Sequence, residues 1–194
     1  MIRKRFTLAL ALFLLGIPGA IQAQEVAKLL PDKSSITISG TSTVHDWEEQ
    51  VGKFNVNLTL DFQDNKVTNI RNVDMIVHSA SIESDYSLMT SKTLDALRAE
   101  KHPKIVFDMI SIEKLTTLDH KFSGVLTGNL SMAGVTRRVR VEFTGSNGGN
   151  IITIKGSKEI NMADFNIRPP TAMLGALKTG ENVVVSFVLH FQVS

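Results

Sequence analysis

Strict alternation of apolar and polar side chains is the feature that most limits how this chain can fold. In KFNVNLTLDF (53–62), Phe54, Val56, Leu58, Leu60 and Phe62 fall on one side, and Asn55, Asn57, Thr59 and Asp61 on the other. Successive side chains of a strand point to opposite faces, so a period of two marks a strand with one buried side. The pattern returns in ITISGTSTV (36–44), NVDMIVHSASI (72–82), KIVFDMISIEKL (104–115), KFSGVLTGNLSMAG (121–134), RRVRVEFTG (137–145), NIITIKGSKEINM (150–162) and ENVVVSFVLHFQV (181–193). Turn formers separate these runs: Asp64-Asn65, Thr117 to His120, Gly134, Asn147 to Asn150 and Thr179-Gly180. Strands joined mostly by short turns predict an all-β domain, with an antiparallel sheet closed on itself or folded into a sandwich.

Two stretches break the alternation. In SLMTSKTLDALRAEKHP (87–103), Leu94, Leu97 and Leu88 or Met89 recur at three- and four-residue spacing. Thr90 or Ser91 is placed to cap a helix there, and Lys101-His102 stop it before Pro103. A helix of about ten residues serves as a crossover or lid. In DFNIRPPTAMLGALKTG (164–180), Pro169 and Pro170 forbid a central strand, and the apolar residues 172–177 need a surface to lie on. A long, greasy loop of this kind often covers a binding mouth. Val183 to Val185 are apolar on both faces, which predicts cover by a helix or by a second copy of the chain, that is, a homodimer.

The start of the chain reads as an export signal over residues 1–23. Arg3, Lys4 and Arg5 precede the apolar run TLALALFLLGI (7–17), Pro18-Gly19 end it, and Ile21-Gln22-Ala23 forms a small-residue cleavage site. The run is shorter than the roughly 20 residues that span a bilayer. No cysteine follows it, which excludes a lipoprotein anchor. Cleavage leaves 24–194 as a single domain. It also removes three of the 21 basic residues, leaving 18 against 19 acidic ones. So even a charge argues against nucleic acid as a partner, because phosphate binding needs a clustered basic field.

GTSTVHDW (40–47) sets His45 beside Asp46 and the chain's single tryptophan, Trp47. On a continuing strand, however, adjacent residues point apart, so His45 and Asp46 are not expected to form a relay. No GxSxG turn supplies a nucleophile, and no catalytic residue is expected. The five histidines show neither HxH nor HxxxH spacing and no cysteine assists them, so no metal or cofactor is expected either. The structural expectation is that Gly40 lets the first strand bend, while His45 and Trp47 share a face and close or line one end of the fold.

The inward positions pose the remaining question. Phe54, Leu58, Phe62, Ile105, Phe107, Met109, Leu126, Leu130, Met132, Val141, Phe143, Val185, Phe187, Leu189 and Phe191 form the candidate interior. An eight-stranded barrel is just wide enough to be filled by such side chains or to hold one small ligand. Composition does not separate the two cases.

Several stretches resemble one family. LRAEKHPKIVFDMISIEKL (97–115), GVLTGNLSMAGVTRRVRVEF (124–143), the crossover SIESDYSLMTSKTLDALRAEKHP and EINMADFNIRPPT leading into ENVVVSFVLHF are similar to the YceI family, with GVTRxV the most specific part. The resemblance covers 34–193, and GTSTVHDW departs from the commoner family opening, as a variant branch would. It implies a lipocalin-like antiparallel barrel of about eight strands with one short crossover helix, exported to the periplasm. It further implies a non-enzymatic protein that holds an isoprenoid-like lipid, of the quinone or polyprenyl class, inside the barrel. On that reading the ligand meets Phe54, Leu58, Phe62, Phe107, Met109, Leu130, Met132, Phe143, Val185, Phe187 and Leu189, with His45 and Trp47 at one end. Arg168 and the 164–180 loop are the candidates for the head group. The alternative is a ligand-free structural or stress-response protein with a filled barrel.

Overall fold

A computed structural model describes residues 23–172 and 177–193. The expected signal segment therefore lies outside the described residues except for Ala23, which opens the first strand. In chain order the elements are β1 (Ala23–Leu29), β2 (Ser35–Ser42), β3 (Trp47–Val51), β4 (Phe54–Gln63), β5 (Lys66–His78) and β6 (Ile82–Glu83). The helix α1 (Ser87–Leu97) follows, then β7 (Lys104–Leu118), β8 (Lys121–Met132), β9 (Val135–Asn147), β10 (Ile151–Asn161), β11 (Thr171–Ala172) and β12 (Leu177–Gln192).

The wall is a closed antiparallel barrel of eight strands in the order β1-β4-β5-β7-β8-β9-β10-β12, and β12 returns to β1 through Lys28 opposite Gln192 and Leu29 opposite Phe191. Closure removes the free sheet edges that would otherwise invite aggregation. On the same edge of β12, beyond β1, β2 pairs from Val188 up to Thr179, and β3 and β6 continue the sheet outward. A short 3-10 turn, Pro31–Lys33, carries the chain between these two partners. There the Ser34 hydroxyl accepts from the His190 backbone N–H at 2.9 Å and donates to the Leu30 carbonyl at 2.8 Å. One side chain thus satisfies the backbone where the ladder changes partner.

Several sequence expectations are corrected here. β1, β3 and the two-residue β11 lie outside the alternating runs, and the run 36–44 ends as a strand at Ser42. The chain turns over residues 43–46, so His45 and Asp46 lie on no strand, and His45 does not share a strand face with Trp47. The helix starts at Ser87 with no side-chain cap, and Thr90 instead accepts from the Ser84 N–H at 2.9 Å, tying down the preceding loop. The expected turns at Asp64-Asn65 and Gly134 are present. Asp64 and Asn65 both take positive φ (51° and 59°), the geometry of a tight hairpin turn.

The two ends of the barrel differ. At the end bearing the β4–β5 and β9–β10 turns, Leu60, Val67, Phe122, Ile152 and Phe191 are buried. Phe122 and Phe143 meet edge-on there with ring centroids 6.2 Å apart. Asn147, buried at the close of β9, donates to the Asn65 carbonyl at 2.9 Å and accepts from the Gly149 N–H at 3.0 Å, locking two turns together. The opposite end carries α1, the 43–46 turn and a 3-10 turn at Met162–Phe165. Val184 faces outward on β12 and is 36% exposed.

Candidate ligand-binding lumen

Cross-strand partners share a face of a sheet, so the registers define the rows that look into the barrel. Lys158, Val185, Ile38 and Glu49 form one row across β10, β12, β2 and β3. Ile160, Val183, Gly40 and Trp47 form the row nearer the α1 end, and Gly156, Phe187 and Ile36 the row below. These rows surround a cavity of about 240 Å³ in the half of the barrel beneath α1. Leu58, Leu126, Phe143, Ile154, Leu189 and Phe191 form its floor, and Met89, Lys92, Thr93, Ala96 and Leu97 of α1 form its roof.

The lumen stays open because aromatic rings lean against the wall. A Cβ on Gly40 would overlap the Trp47 indole, one on Gly128 the Phe107 ring, one on Gly124 the Phe143 ring and one on Gly156 the Phe187 ring. Each ring thus occupies the space that a side chain on the neighbouring strand would fill, and need not project across the barrel.

Of the residues expected to meet a ligand, Leu58, Phe107, Leu130, Met132, Phe143, Val185, Phe187, Leu189 and Trp47 line this cavity. Five others do not. Phe62 lies in the buried core at the filled end, while Phe54 and Met109 pack against the core without reaching the cavity. Arg168 is exposed outside it. His45 is also exposed. Its Nδ1 lies 2.7 Å from the Asp46 backbone carbonyl rather than from the carboxylate, and the Ser42 hydroxyl donates to the His45 carbonyl at 2.7 Å. The pair is therefore turn architecture, not a relay. From the 164–180 loop, Ile167, Pro170 and Thr179 reach the cavity, and residues 173–176 lie outside the described residues.

The residue that sequence reasoning missed is Glu49. Among the described residues it is the one carboxylate on a wall otherwise apolar except for Lys92, Thr93, Lys158 and Thr179. It is 1% exposed, and the Thr93 hydroxyl donates to its Oε1 at 2.8 Å. Burial pushes the Glu49 carboxyl above its ordinary range, and the Thr93 hydrogen bond opposes that in part. A usable signal existed: Trp47, Glu49 and Val51 alternate, setting the acid between two apolar neighbours. Among the described residues, no group of three or more His, Asp or Glu side chains is placed to hold a metal.

Solved structures share this architecture. That of Burkholderia cenocepacia BcnA superposes with a TM-score of 0.68 at 20% identity, covering 84% of this chain and 99% of its own. A polyisoprenoid binding domain from Saccharophagus degradans, implicated in plant cell wall breakdown, gives 0.57 at 11% identity, covering 90% and 100%. The Campylobacter jejuni YCEI protein gives 0.57 at 17% identity, covering 75% and 84%. At these identities the likeness is one of fold. No curated protein matches the chain. The YceI-like domain model matches residues 28–191, nearly the whole barrel, and the chain therefore belongs to the YceI-like domain family.

Proposed function

We propose that this protein carries an isoprenoid-like lipid, of the quinone or polyprenyl class, in the upper half of its barrel, and that it binds without catalysing a reaction. The observation that carries this reading is the division of the barrel. One end is packed solid with Leu60, Val67, Phe122 and Ile152, while the other keeps an apolar cavity roofed by α1. A barrel whose interior served only stability has no physical reason to leave that half hollow, since close packing is what stabilises a core. This favours the carrier over the ligand-free protein with a filled barrel. The Saccharophagus relative, described as a polyisoprenoid binding domain, supports the ligand class.

The energetics agree. Each buried methylene contributes roughly 0.8 kcal/mol, so ten of them supply about 8 kcal/mol, near micromolar affinity, before any polar contact. The same proposal places the protein in the periplasm, on the strength of the export signal read in residues 1–23. Native mass spectrometry of gently purified protein tests the carrier. A bound lipid of isoprenoid mass is expected, and a clean ligand-free mass across several preparations sinks the idea. For localisation, fractionation of cells expressing the full chain should recover a shortened product outside the cytoplasm; uncleaved chain in the cytoplasm overturns it.

A further inference from the structure

Glu49 has an oxygen with nothing to do. Oε1 is held by Thr93, but Oε2 is buried in the lumen wall without a hydrogen-bond partner. Burying a polar atom unpartnered is costly, and native structures avoid it unless the atom has a use. We infer that Glu49 is the head-group anchor of the lumen, donating a hydrogen bond from Oε2 to a carbonyl oxygen on the bound lipid. This rests on the reading of the lumen as a lipid site, and it names the polar chemistry that site selects.

For a neutral carboxyl the direction of the bond follows from the contacts. Thr93 donates to Oε1, so Oε1 acts as the acceptor half of the group and the proton of a neutral carboxyl resides on Oε2. Burial, by disfavouring the charged form, holds that proton more firmly. The charged groups that share the cavity are Lys92 on α1 and Lys158, three strands away in the same row. Among the described residues neither forms an ion pair with Glu49. β2 faces it with Ile38, and Glu83 of β6 stands opposite Gln50, on the other face of β3. A ketone, quinone or amide oxygen accepts that hydrogen bond without carrying charge into the apolar lumen, whereas a phosphate head brings its charge with it. The polar head then lies beneath α1 beside Trp47, and the tail runs down to Leu58 and Phe143.

Three probes with the same tail test this: geranylgeranylacetone, the hydrocarbon lacking its carbonyl oxygen, and geranylgeranyl diphosphate. Binding is followed through the emission of Trp47, which lines the cavity and is the chain's sole tryptophan. In the parent the ketone should bind about tenfold tighter than the hydrocarbon, the effect of one hydrogen bond to a buried partner. Glu49→Leu should erase that preference without weakening the hydrocarbon. Glu49→Gln, whose amide still donates, should keep it. The parent's preference should also fade as pH rises and Glu49 ionises, while Glu49→Gln stays flat, a readout that holds even where Glu49→Leu does not fold. A preference that survives in Glu49→Leu, a pH-flat parent, or tighter binding of the diphosphate overturns the anchor alone. A parent that binds none of the three overturns the lipid reading with it.

Discussion

Trp47 folds over Gly40 across the β2–β3 pair, with its Nε1–H donated to the Thr41 carbonyl at 3.0 Å. The four residues between Ser42 and Trp47 serve to turn the chain so that this ring can come back over its own strand. Gly40 matters because a side chain there would occupy the space of the indole.

Gly40→Val should therefore lift the indole from the wall and break its bond to Thr41. Overpacking of this kind costs about 1–3 kcal/mol. The loss should appear in the urea midpoint, with a red shift in tryptophan emission as the ring enters water. An unchanged spectrum would show that the ring tolerates the extra side chain.

Phe187 leans against Gly156 and lines the cavity floor-to-roof path with Val185 and Leu189. Phe187→Asp places an unpaired charge on that apolar wall, at a cost of about 3 kcal/mol or more. Lipid recovered with the purified protein should disappear. Equal lipid content in variant and parent would place the ligand elsewhere.

Two carboxyls should titrate in opposite senses. Burial raises the folded-state pKa of Glu49 above its ordinary value of 4.5, so its contribution to stability is whole below that pH and shrinks as pH rises through the folded pKa. Glu49→Gln cannot ionise, and its stability relative to the parent should grow as pH rises above about 4.5. A pH-independent difference would refute the burial. Glu113 is held low, first by the Thr127 hydroxyl, against a smaller opposing effect of burial, and further by Arg140, 2.7 Å from its other oxygen. Its contribution is present above its unfolded pKa and fades as pH falls. Thr127→Val should raise the Glu113 pKa in a carbon-detected NMR titration, and no change would discount that hydrogen bond.

Asn147 ties the β9–β10 turn to Asn65 at the packed end, far from the cavity. Asn147→Ala should lower unfolding free energy by about 1–3 kcal/mol, the cost of leaving buried polar groups unpaired. Lipid affinity should be untouched. A variant that loses both would show that the two ends of the barrel are coupled.

The strands that were legible in the sequence, β4 and β12 above all, place apolar residues at every inward position over much of their length. β1 and β3, the longer of the strands outside the expected runs, do not. β1 faces inward with Glu25, Ala27 and Leu29 while Val26 is 75% exposed, and β3 faces inward with Trp47, Glu49 and Val51. A glutamate on the inner row interrupts the period-2 signal in both. The interruption in β3 is also the most informative position of the candidate site, so the failure of the pattern and the polar chemistry have one cause.

Taken alone, the sequence determined an all-β chain of alternating strands with one short helix, because side-chain period is a local property of the backbone. It also determined which residues face inward along each uninterrupted run, Phe107, Leu130 and Phe187 among them. Only the tertiary structure decided that β1, not β2, closes the ring on β12, that one half of the barrel is filled and the other hollow, and that Glu49 looks into the hollow half. A period of two says which face a residue occupies and nothing about which strand lies beside it. Register, closure and the space left inside are set by pairings between distant segments, and GTSTVHDW became a turn under a tryptophan for that reason.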